Sequence, residues 1–272
     1  MTLPKISIVT VVLNRKDYLR RAVECVLFQD YPNFEHIVID GGSTDGTVDV
    51  LKEYPHLRWI SEPDGGSVFA LNKGLKMISG DIWGWLNSDE YYFPGVFKLV
   101  SEYFGRHPEW DLIYGSSDYV DSDDKFLGHR RSRPFNAHRL LIGFNQIAAP
   151  SSMFMRCRAL QGVGGQVDVR WQHTYDLDLW IRVSKAFVIH DIPERVSRFG
   201  IHPDSGVAKA PQNAIEEVAN LRRHHGGESR LLDRLFWVPF FDAFLWVYMR
   251  LKWRRMVAKS SMAHADGGKV PK

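Results

Sequence analysis

The segment Asn87-Ser88-Asp89-Glu90 directly follows a short apolar run, Ile82-Trp83-Gly84-Trp85-Leu86. Adjacent carboxylates at a strand end offer hard oxygen donors. These suit Mg2+ or Mn2+, which commonly bridge protein carboxylates to a substrate diphosphate, and a cation held there offsets charge on a departing diphosphate. A solvated acidic turn has the same composition. Asp40 closes a second apolar run and opens the turn Asp40-Gly41-Gly42-Ser43-Thr44-Asp45-Gly46-Thr47. A carboxylate placed so can accept hydrogen bonds from a base or ribose, or it can close an Asx turn ahead of the next helix. In Asp176-Leu177-Asp178-Leu179-Trp180-Ile181-Arg182, the two acids point to different helix faces, and Asp178 and Arg182 form an i, i+4 pair. One carboxylate is then structural while the other can face a cleft as a base. Acids favoured by the dipole in a first helical turn are the plainer explanation. His202 lies among the turn residues of Arg198-Phe199-Gly200-Ile201-His202-Pro203-Asp204-Ser205. An imidazole there can ligate metal or phosphate, although most single histidines do neither.

The elements that must position these groups follow from periodicity. Residues 6–13 are a continuous β-branched run, the mark of a strand covered on both faces. Leu19, Ala22, Val23, Val26 and Leu27 recur at helical spacing, and Asp30-Tyr31-Pro32 stops that helix. Residues 35–39 and 57–61 read as strands, with Ser43 or Thr44 able to cap a helix between them. After the turn Pro63-Asp64-Gly65-Gly66, Val68, Leu71, Leu75 and Ile78 form another helical stripe, and 82–86 is a fourth strand. This βαβαβαβ rhythm predicts a doubly wound, mostly parallel, Rossmann-like α/β sheet. Ligands of such sheets bind outside the carboxyl ends of the strands. Those ends carry residues 10–15, 40–47, 61–66 and 87–90. The second half is less regular: 111–115 reads as a strand, 117–124 as an acidic loop, 162–165 as a turn and 177–186 as a helix.

Composition narrows the function classes. The 272 residues are 44% hydrophobic and 25% charged, so a single sizeable core is affordable. Cys25 and Cys157 are the two cysteines, with no CxxC, which excludes a disulfide scaffold, disfavours structural zinc and fits a reducing compartment. A net charge of +3 is too small for a nucleic-acid binder, and the basic residues cluster locally at 129–133 and 250–255. No GxGxxG follows the first strand and no GxxxxGK[ST] occurs, which argues against a dinucleotide-dependent dehydrogenase and a P-loop nucleotidase. The opening residues do not read as a signal peptide, and no stretch reaches the ~20 apolar residues of a membrane span.

Taken in order, the segments resemble the inverting family 2 glycosyltransferases with the GT-A fold. The resembling pieces are Ser7 through Asn14, Ile39 through Thr47, Ser61 through Gly66 with Ala70 through Gly74, and Gly80-Asp81 leading to Asn87-Ser88-Asp89-Glu90. Phe154-Met155-Arg156, Gly164-Gly165, the Asp176 to Arg182 motif and His202-Pro203-Asp204-Ser205 follow. The match covers roughly residues 5–205. The resemblance implies a nucleotide-diphosphate-sugar donor, often a UDP-sugar, with Thr10, Asn14, Asp40, Asp64, Asn72 and Ser88 about the nucleotide and Asp40 facing the base. It assigns Asp89, Glu90 and His202 to an Mg2+ or Mn2+ site and Asp176 to the general base. Residues 1–92 would be the donor half of one domain and 93–206 the acceptor half. Three departures stand out: Glu90 and Gly41 replace aspartates usual in the family, and Val68-Phe69 replaces a common Tyr-Asp.

The stretch 231–249 is rich in aromatics and is followed by the basic cluster 250–255. Asp233, Arg234, Pro239 and Asp242 interrupt it, so an interfacial helix or hairpin on anionic lipid fits better than a span. Packing onto the core or a second subunit is the other reading. The first makes this a peripheral protein at the inner face of the cell membrane, with a glycan or lipid-linked acceptor. Residues 207–258 would hold these helices, and the tail from 259 reads as disordered. A nucleotide-sugar-binding protein without turnover, or a membrane-associated assembly subunit, are the alternatives to an enzyme.

Overall fold

The computed structural model describes residues 3–141, 149–201 and 211–227. β1 (Ile6–Val12) is buried along its whole length, as its β-branched run requires. β2 (Phe34–Asp40) and β4 (Ile82–Asn87) flank it in parallel, and β3 (Leu57–Ser61) lies parallel to β2. The crossovers are α1 (Lys16–Leu27), α2 (Thr47–Lys52) and α3 (Ser67–Leu75). Strand alternation feeds a core on each face of the sheet. Ile6 and Ile8 pack with Ala22 and Val26 of α1, while Val9 and Val11 pack with Val68, Leu71 and Leu75 of α3. Gly74 lets α3 approach this closely: a Cβ there would come within 2.4 Å of Val9 Cγ1.

The second half adds β5 (Tyr91–Tyr92), α4 (Val96–Arg106), β6 (Leu112–Val120), β7 (Phe126–Arg130), α5 (Ala137–Leu141), β8 (Met153–Arg156), α6 (Cys157–Gly162), α7 (Tyr175–Ser184), β9 (Ile189–Gly200) and α8 (Pro211–His224). The sheet runs β3-β2-β1-β4-β8-β6-β9-β5, with β7 beside β6. β8 is antiparallel to both β4 and β6, whereas β9 runs parallel to β6. The parallel layout thus describes the first four strands, and the whole sheet is mixed.

Two local expectations are corrected. Ser117 to Val120 complete β6 instead of forming an acidic loop. Buried Asp118 is tolerated in that strand because His129 Nδ1 (2.8 Å) and Arg195 (3.1 Å) meet its carboxylate. At the start of α2, neither Ser43 nor Thr44 caps the helix. Gly46 is the N-cap residue at φ +96°, and Asp45 accepts the Thr47 amide at 2.9 Å. The aromatic stretch 231–249 and the tail from 259 lie outside the described residues. Among the described residues, no helix is long and apolar enough to cross a membrane.

Candidate functional site

Register alone builds a rim. Val12 lies beside Asp40, Asp40 beside Ser61, and Val11 beside Asn87. The carboxyl ends of four parallel strands therefore end at one level, and their loops meet above it. Asn14, in the left-handed region at φ +52°, accepts the Thr44 amide at 2.9 Å and donates its own amide to Ser43 Oγ at 2.7 Å. Asp40 is fully buried. Its Oδ2 accepts from the Gly42 amide (3.2 Å), the Ser43 amide (3.0 Å) and Ser61 Oγ (2.5 Å), and its Oδ1 accepts the Ser43 hydroxyl. The Asx-turn alternative thus describes Asp40, which shapes the loop above it. Asp64 accepts the Gly66 amide at 2.8 Å, and its carboxylate lies against Gly41, where a Cβ would be 3.2 Å from Oδ2. The space that a side chain at position 41 would enter is filled by the acid at 64.

Two other expected pocket residues are committed to the interior. Thr10 is fully buried, with its hydroxyl 2.9 Å from His36 Nε2. Asn72 forms a reciprocal pair with the Val167 backbone, donating and accepting at 2.9 Å.

At the end of β4, Trp85 Nε1 donates to Asn87 Oδ1 (3.0 Å), and Asn87 Nδ2 donates to Glu90 Oε1 (2.9 Å). Glu90 is buried, and its Oε2 has no partner among the described residues. Burial, reinforced by the adjacent Asp89 charge, pushes the Glu90 carboxyl above the ordinary carboxylate range. Ser88 is buried and Asp89 half-buried. A cleft of about 190 Å³ opens beside Asp89 and Glu90, walled by Asp17, Tyr18 and Arg21 of α1 together with Tyr91 and Ser122.

Asp176 lies in the first turn of α7. Tyr175 stacks on Trp85 with ring centroids 5.1 Å apart, and its hydroxyl lies 3.1 Å from Ser67 Oγ. The start of α7 is thereby clamped to β4 and α3. Glu217 of α8 caps it, accepting from the His173 amide (2.8 Å), the Thr174 amide (2.9 Å) and Thr174 Oγ1 (2.8 Å). Burial raises the Asp176 carboxyl to about 6, with Glu217 adding to the rise and Arg130 opposing it. Asp178 faces the other way, bound to Arg182 Nε at 2.7 Å and His225 Nε2 at 2.8 Å. The spacing argument for one structural acid and one other acid therefore holds at Asp178.

The rim gathers Asn14, Asp40 and Asp64 at one stretch. Ser88, Asp89 and Glu90 stand at another, linked to Asp176 through the Trp85–Tyr175 stack. Thr10 and Asn72 sit behind it, and His202 lies outside the described residues. Trp85, Tyr175 and Glu217 were not legible as site residues. Their partners are far along the chain, and an aromatic in a core strand reads only as core.

The sequence matches the family model described as glycosyl transferase family 2 over residues 7–163, more than half of the chain. Asp176 and His202 lie beyond that match. An uncharacterised glycosyltransferase of Mycobacterium tuberculosis is 33% identical over 191 residues, which cover 68% of each chain. S. aureus TarS 1-349 in complex with UDP-GlcNAc superposes with a TM-score of 0.64 at 16% identity, over 81% of this chain and 66% of that one. The present chain therefore spans just under two thirds of that structure. Mannosyltransferase PcManGT from Pyrobaculum calidifontis, in complex with GDP-Man and Mn2+, superposes with a TM-score of 0.63 at 15% identity, over 97% of this chain and 81% of that one. At these identities the two structures speak for the fold.

Proposed function

Since this chain belongs to glycosyl transferase family 2 and has the GT-A fold, we propose that it moves a sugar from a nucleotide-diphosphate-sugar, a UDP-sugar first, onto an acceptor hydroxyl with inversion, in cell-surface glycan or polysaccharide synthesis. The observation that carries this reading is Asp176. It is a carboxyl raised to about 6 on a helix start clamped against the strand that leads to Asp89 and Glu90. A base with that pKa is largely ionised at neutral pH yet keeps proton affinity. Residues 1–92 would take the donor and 93–206 the acceptor. Asn14, Asp64 and Ser88 would stand nearest the donor, with Asp40 acting through the loop it holds, and Thr10 and Asn72 as supports.

Asp89 and Glu90 fit a divalent cation. Two carboxyl side chains stand together at a strand end, one with an orphaned buried oxygen. Among the described residues, no three His, Cys, Asp or Glu side chains gather into a cage. Mg2+ or Mn2+ can be held by one or two carboxylates and keeps several positions for diphosphate oxygens and water. Bound there, with His202 as a further proposed ligand, the ion would supply charge stabilisation to the leaving diphosphate.

The Asp176 carboxylate would accept the proton of the acceptor hydroxyl as that oxygen attacks the anomeric carbon. The bond from that carbon to the diphosphate oxygen breaks as the new one forms, so configuration inverts in a single displacement. Asp178 is excluded as the base because Arg182 and His225 already occupy its oxygens. Asp176→Asn should lower transfer by about 10²–10⁴-fold with the fold intact. Near-normal transfer by that variant would remove Asp176 from the role.

The inward-turned Glu90 favours one second reading, a nucleotide-sugar binder without turnover. Donor hydrolysis with and without Mn2+ separates the two, because a binder would bind without releasing nucleotide. Residues 231–255 would hold the protein peripherally at the inner face of the cell membrane, within reach of a lipid-linked acceptor. That assignment rests on their aromatic and basic pattern alone.

A further inference from the structure

The arginines of the described residues are mostly matched with acids: Arg20 with Glu53, Arg58 with Glu35, Arg158 with Asp111 and Arg195 with Asp118. Arg156 and Arg223 donate to carbonyl oxygens instead, and one short segment carries two arginines with neither kind of partner among the described residues. Arg131 and Arg133 are exposed and meet no carboxylate among the described residues. Arg130, just before them at the end of edge strand β7, reaches Tyr119 Oη at 3.4 Å.

The segment is fixed in place. Ser132 turns inward, its amide donating to Ser116 Oγ (3.0 Å) and its hydroxyl to the Ile192 carbonyl (2.6 Å). The Arg133 carbonyl accepts the Tyr114 hydroxyl. Ser132 is half-buried, whereas Arg131 and Arg133 on either side of it are exposed. Phe135 then stacks on Trp180 of α7, with centroids 5.9 Å apart. Trp180 and Asp176 are four residues apart on one helix and share a face. The segment 130–135 therefore crosses the same face of α7 that carries Asp176, and Arg130 acts electrostatically on that carboxyl. The donor loops stand elsewhere, over the ends of β1 to β4.

Arg131 and Arg133, without countercharge among the described residues, together with Arg130 beside them, form a phosphate-binding arrangement. Each presents a planar fork that matches phosphate oxygens in pairs. We propose that Arg130, Arg131 and Arg133 bind a phosphoryl group carried by the acceptor, next to the hydroxyl that receives the sugar. This rests on the transferase reading, whose acceptor it assigns to a class: a phosphate-bearing molecule, either a lipid diphosphate or a soluble sugar phosphate.

The test is equilibrium binding to the full chain, which needs no turnover. Citronellyl diphosphate probes the lipid source, glucose 1-phosphate the soluble one, and citronellol is the neutral control. Binding of at least one phosphorylated probe, with none of citronellol, is expected. The double variant Arg131→Gln/Arg133→Gln should weaken that binding by about tenfold or more, with Tm unchanged because both side chains are exposed. Equal affinity of wild type and double variant for both probes would overturn the proposal, as would displacement of the probe by UDP, which would put it in the donor pocket. Thermal shift with UDP-sugars and Mn2+ reports separately on the donor. Phosphate binding lost in the double variant, alongside no response to any nucleotide-sugar, would sink the transferase reading and leave the phosphate site standing.

Discussion

Ionising Asp176 costs the fold free energy, because burial is what lifts its carboxyl from 3.8 to about 6. The native state holds that proton more tightly than the unfolded chain does. The contribution to stability is therefore full below about 3.8 and is lost as pH rises through about 6. Asp176→Asn removes the charged form, so at pH 7.5 its Tm should equal or exceed that of wild type while transfer collapses, the trade between stability and activity expected of a working group. For wild type, kcat/KM should rise with pH through a midpoint near 6. A flat profile together with a lower Tm for the variant would count against the assignment. Some of this was legible: the Asp178–Arg182 pair follows from helical spacing, and the Asp40 turn from Asp-Gly-Gly-Ser chemistry. The interior roles of Thr10 and Asn72 were not. Their partners, His36 and Val167, lie 26 and 95 residues away, and no local pattern announces them.

Between elements, two buried polar pins hold the rim from behind. Glu35 of β2 accepts from Ser7 Oγ (2.6 Å), the Ser79 amide (2.7 Å) and Arg58 (2.7 Å), tying β1, β2, β3 and the turn before β4 at the end opposite the site. Burial alone would raise its carboxyl, but the bonds from Ser7, Ser79 and Arg58 outweigh it and hold the group at about 2. Its stabilisation is present above about 4.5 and is lost as pH falls through about 2. Glu35→Gln should cost about 2–3 kcal/mol at pH 7, read by urea unfolding, and the gap to wild type should narrow towards pH 2. The second pin, Asn72, joins α3 to the turn before α7. Asn72→Ala should cost about 2 kcal/mol and leave nucleotide affinity nearly unchanged. A large loss of nucleotide affinity at unchanged stability would return Asn72 to the donor pocket. Strand β9 shows why elements were harder to read in the second half. Ile189–Gly200 carries Asp191, Pro193, Glu194 and Arg195, so its alternation is broken, and it joins β6 through shifts in register.

At the scale of the molecule, four parallel strands and their loops were readable because β1, β2 and β4 are buried along nearly their whole length, and turns punctuate all four. The mixed half was not, because β8 enters antiparallel between β4 and β6, a choice set by long-range packing. Residues 231–255 add a question for the whole chain. Liposome flotation should recover the 272-residue chain with anionic vesicles and leave a chain ending at Glu228 behind; equal behaviour of the two would remove the membrane assignment. The central claim is that the rim formed by β1 to β4, with Asp89, Glu90 and Asp176, works on a nucleotide-sugar. It is tested most directly by nucleoside-diphosphate release from a panel of nucleotide-sugars, with and without Mn2+, by wild type and Asp89→Asn. The account predicts release from at least one donor, stimulated by Mn2+ and lowered about 100-fold or more in the variant. Equal release by both proteins, or none from any donor under any condition, would contradict it.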